Sequence, residues 1–76
     1  MTFEALKDVI VACVGCDAEK VVPDARLIPD VCKDSLDTVE LAMALEDNTG
    51  VNVPDDIMAT FRTVSMLHDY MNEQGA

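Results

Sequence analysis

The sequence predicts an all-α fold: a small four-helix bundle, with three longer helices, one short helix, and a long loop between helices one and two. Three observations predict it. Apolar residues recur at helical spacing in three segments. Helix-starting and helix-stopping residues flank them, with Thr2, Asp34 or Ser35, and Thr63 ahead and Gly15 and Gly50 behind. No strand-type alternation of apolar and polar residues competes with this reading.

Helix one is expected over residues 3–14. Thr2 is its N-cap, and Phe3, Leu6, Val9, Ile10 and Cys13 form its apolar stripe. Glu4 and Lys7 fall outside that stripe, and Gly15 is a C-terminal stop. Residues 15–34 read as the long connection, interrupted by Pro23 and Pro29. A structureless loop of that length is uncommon in a compact domain. Val21, Val22, Leu27, Ile28 and Val31 are therefore expected to pin it to the core, with a short helical turn inside it.

Helix two is expected over 35–49, capped by Asp34 or Ser35 and ended by Gly50. Pro54, Asp55 and Asp56 start a short third helix, because proline and acids suit a first turn. Phe61 closes that segment. Thr63 caps helix four, whose inward stripe is Val64, Leu67 and Met71, while Gln74, Gly75 and Ala76 are expected to fray.

Helix two has two apolar faces. At about 100° per residue, Thr38, Leu41, Ala42 and Leu45 gather on one side. Leu36, Val39 and Met43 gather on nearly the opposite side. The first face contains no charge and is the core candidate. The second is edged by Asp37, Glu40 and Asp47, the pattern of a docking surface with an apolar centre and a charged rim. The competing reading buries both faces under the loop or helix three. No Lys or Arg occurs from Asp34 to Met58, so the rim is uniformly negative.

Composition narrows the function. At 76 residues one domain spanning 1–76 is expected, burying about 60% of the surface of its unfolded chain. Half the residues are hydrophobic and few are aromatic, so the core should be Val, Leu, Ile and Met. Fifteen acidic residues against five basic ones give a formal charge of −10. Nucleic acid phosphates and anionic membranes would repel such a chain. Its expected partners are proteins with basic patches. The longest apolar run, Val9 to Val14, is far short of a membrane span. Residues 1–7 lack a signal-peptide pattern, so a cytoplasmic protein is expected; a monomer is expected as well.

Most candidate chemistry fails on its own requirements. Cys13 and Cys16 form a CxxC where helix one ends, whereas an activated redox pair needs a helix N-terminus. A zinc site would need Cys32 and His68 as well, each alone in sequence. Cys13 reads as small-residue packing and Cys16 as a loop residue. Ser35, His68 and an aspartate make no hydrolase without a GxSxG elbow or an oxyanion loop. His68 reads as a solvated surface histidine. "DNTGVNVPDD" has its glycine misplaced for an EF-hand and lacks the closing glutamate.

Ser35 is the remaining candidate. It stands at a helix start between Asp34 and Leu36, with no base beside it. A phosphate ester there would face free backbone N–H groups and the positive end of the helix dipole. Asp34 and Asp37 would oppose the added charge, so a singly charged phosphodiester suits the place better than a monoester. The residues alone leave two readings open: an acceptor modified by another protein, or a plain N-cap serine in an acidic helical adaptor.

At "DSLDTVELAMALED" the chain resembles the acyl carrier proteins of fatty acid synthesis. The likeness continues through "VPDD" at 53–56 and "TV" at 63–64, and the amphipathic first helix and "DVCKDSL" complete it. The resemblance implies that Ser35 carries 4′-phosphopantetheine, placed there from coenzyme A by a phosphopantetheinyl transferase (holo-acyl-carrier-protein synthase). The arm's thiol would hold acyl groups as thioesters for fatty acid synthesis enzymes with basic docking patches, and the chain would have no catalysis of its own. Asp34, Leu36, Asp37, Val39, Glu40 and Met43 match positions that partner enzymes contact. The acyl chain would enter an interior of flexible side chains such as Met43 and Met58. Specialised carriers, for polyketide or D-alanyl pathways, are the alternative. The family usually places a glycine and a variable residue before Asp-Ser-Leu, where this chain has Cys32 and Lys33. A positive φ there would strain Cys32, and its thiol would lie near the arm's own, open to a mixed disulfide.

Overall fold

The structure, a computed structural model, describes residues 1–76. Thr2 starts the first helix, α1 (Phe3–Val14), with its hydroxyl accepting from the Ala5 N–H at 3.1 Å. Gly15 ends it in the left-handed conformation (φ 73°), donating to the Val11 carbonyl at 3.0 Å. Absence of a Cβ makes that turn inexpensive. Helix α2 (Ser35–Thr49) ends the same way at Gly50 (φ 78°). The short α3 (Asp55–Met58) follows Pro54. Helix α4 (Val64–Glu73) starts at Thr63, whose hydroxyl accepts from the Met66 N–H.

The connection from α1 to α2 holds two turns. One is a 3₁₀ turn at Ala18–Lys20. The other, Leu27–Val31, is irregular: Ile28 is extended, the Ile28–Pro29 peptide is cis, and the Cys32 N–H closes on the Leu27 carbonyl at 2.8 Å. Val21, Ala25, Leu27, Val31 and Cys32 bury themselves. Backbone bonds then tie the loop to the start of α4. Leu27 N–H donates to Arg62 O at 2.9 Å, Val64 N–H to Ala25 O at 3.0 Å, and Ser65 N–H to Pro23 O at 2.9 Å. Thus the loop's polar backbone finds partners although its apolar side chains face inward. Val22 and Ile28, expected as anchors, are exposed instead.

The core joins Leu6 and Ile10 of α1 to Leu41 and Leu45 of α2 and Val64, Leu67 and Met71 of α4, with Met58 of α3 and the loop residues filling between. Burying each such side chain stabilises the fold by about 1.5–3 kcal/mol. Met43 is not among them, contrary to its expected place in the interior; it points outward from α2.

Two further expectations need correction. His68 is half-buried, not solvated: its Nε2 lies 2.9 Å from the Met1 carbonyl oxygen and its ring meets Phe3 edge-on. The C-terminal residues are tied down. Gly75 N–H donates to Asn72 O, Ala76 N–H to Met71 O, and the Met1 ammonium to Asn72 Oδ1 and the Ala76 carbonyl oxygen.

Candidate functional site

The start of α2 is built by carboxylates. Asp34, not Ser35, is the N-cap: its Oδ1 accepts from the Leu36 N–H at 3.0 Å and the Asp37 N–H at 3.4 Å. Ser35 is consequently the first helical residue, exposed, its hydroxyl unneeded for capping. The Ser35 carbonyl accepts from the Thr38 hydroxyl at 2.6 Å, which satisfies the one polar side chain in the core. The expectation that a group on Ser35 would face free backbone N–H groups is therefore revised in part. At Leu36 and Asp37 those donors are already engaged.

Ser35 stands on the wall of a cleft of about 410 Å³ between the loop, α2 and the α3–α4 connection. Leu27, Ile28, Met58 and Phe61 give it an apolar lining, and Arg26 and Arg62 contribute its charge. No histidine, carboxylate or thiol lines it, so nothing in the cleft can take a proton from the serine. Arg26 is held by Asp30 through its backbone N–H, Nε and Nη2, at 3.0, 3.2 and 3.1 Å. That guanidinium holds the Asp30 carboxyl below its usual range.

The two faces of α2 separate cleanly. Thr38, Leu41, Ala42 and Leu45 are buried. Leu36 and Met43 are 64% and 62% exposed and Val39 is half-buried. Neither the loop nor α3 covers this outer stripe. Glu40 and Asp47 are exposed at its edge, with Asp34 exposed and Asp37 half-buried towards the serine end.

The cysteines are arranged as packing groups. Cys13 lies in the last turn of α1 and Cys16 just after it, both half-buried. Burial raises both thiol pKa values, with Glu40 and Asp37 adding to the effect at Cys13, the opposite of an activated redox pair. Cys32 has φ −99°, so the steric objection to it before Asp-Ser-Leu does not arise. It is fully buried, and desolvation first, then Asp37, pushes its thiol up to about 12. A mixed disulfide with a thiol outside the bundle is thereby disfavoured. Asp47 belongs to α2 and Gly50 to its cap, so "DNTGVNVPDD" is not a calcium loop.

Sequence reasoning missed the cleft and both of its arginines. Each arginine sits in a segment whose path is set by contacts distant in sequence, so local spacing held no signal for them.

A family model described as "Phosphopantetheine attachment site" matches residues 4–71. The match runs from the first turn of α1 to the last buried residue of α4, so the whole bundle fits the pattern and not the serine's surroundings alone. The chain belongs to the phosphopantetheine attachment site family, whose domains carry covalently bound 4′-phosphopantetheine.

Proposed function

We propose that Ser35 is the attachment point and that the chain carries acyl groups for fatty acid synthesis. The observation that carries this reading is the exposed Ser35, free of capping duty, at the wall of a partly apolar cleft of about 410 Å³. The residues fit the arm: an outward hydroxyl to esterify, apolar side chains for its methyl and methylene groups, and a guanidinium in the same cleft. Once attached, the arm supplies a thiol that holds acyl groups as thioesters. Domains of this family act as carriers rather than catalysts.

In loading, the Ser35 oxygen attacks phosphorus in the diphosphate of coenzyme A. A new O–P bond forms, the bond to the nucleotide half breaks, and the serine proton leaves to a base. The cleft supplies no base, so the phosphopantetheinyl transferase must. The proposed docking surface is Leu36, Val39 and Met43 within Asp34, Asp37, Glu40 and Asp47. Desolvating Leu36 and Met43 gives affinity, and the carboxylates steer a basic partner.

Intact mass after incubation with coenzyme A and a transferase tests the reading. A gain equal to the arm is expected, and Ser35→Ala must abolish it. An unchanged mass in the unsubstituted protein would leave an unmodified acidic adaptor as the reading. Fatty acid and polyketide condensing enzymes, offered the loaded protein in parallel, separate the pathways.

A further inference from the structure

We propose that Arg62 pairs with the phosphodiester that roots the arm on Ser35, and so lays the first part of the arm along the apolar floor of the cleft. This rests on Ser35 being the attachment point.

A phosphodiester keeps one full negative charge, and its phosphorus is fixed by one bond to the Ser35 oxygen. Asp34 and Asp37 adjoin Ser35 in sequence, at the cap and in the first turn of α2, and add negative charge to this end of the helix. The backbone donors that a helix start would offer are occupied at Leu36 and Asp37 by the Asp34 carboxylate. Two of the donors that a phosphate customarily takes at a helix start are thus in use, which leaves a place for a cation beside it.

Three cations lie near enough in the fold to consider. Arg26 shares the cleft, but its guanidinium is engaged by Asp30 through two hydrogen bonds, from Nε and Nη2. Lys33 precedes the cap but lines a different cleft, with Cys16, Lys20 and Asp37 on the α1 side. Arg62 lines the Ser35 cleft and has no ion pair. Its backbone is pinned, with its carbonyl accepting from Leu27 N–H at 2.9 Å and its N–H donating to Met66 Sδ at 3.4 Å. The side chain is exposed, so pairing needs no rearrangement of the core. A planar guanidinium meets two phosphate oxygens at once, which a lysine cannot.

The floor completes the fit. Ile28 is a large apolar residue left 44% exposed, and it lines this cleft with Met58 and Phe61. Beyond its phosphate, the arm presents a dimethyl carbon that would cover such a surface. Arg62 is thus a positioning residue for the arm's root.

The test compares apo and holo protein, unsubstituted and with Arg62→Gln or Arg62→Lys. Amide spectra of the apo forms check that each folds alike. The readouts are the ³¹P resonance of the diester and the methyl resonances of Ile28. In the unsubstituted protein, loading should move the Ile28 methyls, and the ³¹P resonance should differ from that of the urea-unfolded holo chain. Arg62→Gln should bring the ³¹P resonance to the unfolded value and remove most of the Ile28 shift, with Arg62→Lys recovering part of each. A ³¹P resonance indifferent to Arg62→Gln overturns the pairing. So does an Arg62 dependence that appears only when a carboxylate-bearing acyl group is loaded and not with acetyl, since the partner would then be the cargo. Absence of any mass gain in the unsubstituted protein defeats the attachment reading itself, and is seen before any resonance is compared.

Discussion

Asp34 and Asp37 brace each other at the start of α2. Asp34 Oδ1 accepts from the Asp37 N–H at 3.4 Å, while Asp37 Oδ2 accepts from the N–H of Lys33, the residue before Asp34, at 2.9 Å. The arrangement resembles a capping box with its return bond shifted back by one residue. Two carboxylates proposed for docking therefore also hold the helix that presents Ser35.

This dual role separates by substitution. Asp34→Ala removes the cap and should lower stability by about 1 kcal/mol, about 4–8 °C in Tm for a domain of this size. Asp34→Asn keeps a capping oxygen and should leave Tm nearly unchanged. Any slower loading by the transferase in Asp34→Asn then reports the lost charge alone. Equal Tm losses in the two variants would show that the cap depends on charge rather than on hydrogen bonding.

Leu36→Ala and Met43→Ala should change urea stability by no more than about 0.5 kcal/mol, because both side chains are mostly solvated. Leu41→Ala, on the other face of the same helix, should cost about 2–5 kcal/mol. Comparable losses at Leu36 and Leu41 would mean that the outer stripe is packed after all.

Glu40→Lys should slow loading mainly through the association rate, and the deficit should shrink as salt screens the encounter. Stopped-flow mixing at several ionic strengths measures this. Rates that match the unsubstituted protein throughout would reduce the acidic rim to a solubilising surface.

Cys32 gives a pH signature. Its folded pKa, about 12, lies above the ordinary 9.0, so the folded state retains the proton longer than the unfolded chain does. The associated stability is fully present below 9 and declines as pH rises towards 12. Between those limits, Tm of the unsubstituted protein should fall faster than that of Cys32→Ala. In the native protein at mild alkaline pH, iodoacetamide should modify Cys13 and Cys16 before Cys32. First reaction at Cys32 would contradict its burial.

A formal charge of −10 spread over so small a surface strains the folded form. Raising sodium chloride from low to moderate concentration should raise Tm. No change in calorimetry would mean that the carboxylates are already screened from one another by their spacing.

What the sequence made legible was local. The caps at Thr2 and Thr63 and the stops at Gly15 and Gly50 depend on a residue's own chemistry and its near neighbours, whereas the cap of α2 was left between Asp34 and Ser35. The two faces of α2 follow from its period. Less legible were features made by distant pairs: His68 against Met1 and Phe3, the C-terminus against the Met1 ammonium, and Arg62 brought to the cleft that Ser35 lines. The fear of strain at Cys32 assumed a backbone angle that the turn before it does not impose. Ser35 was legible as a position, whereas the occupancy of its neighbouring N–H groups by Asp34 required coordinates.

Both ends of the chain meet beside Asn48 and Thr49, near the last turn of α2. Ser35 opens that same helix, so about 20 Å of rod separates the meeting place from the hydroxyl. A fluorophore or a fused domain attached at either end would hang from the opposite pole and leave the approach to the serine clear. A short bridge between Met1 and Ala76 would close the polypeptide into a ring without disturbing that approach.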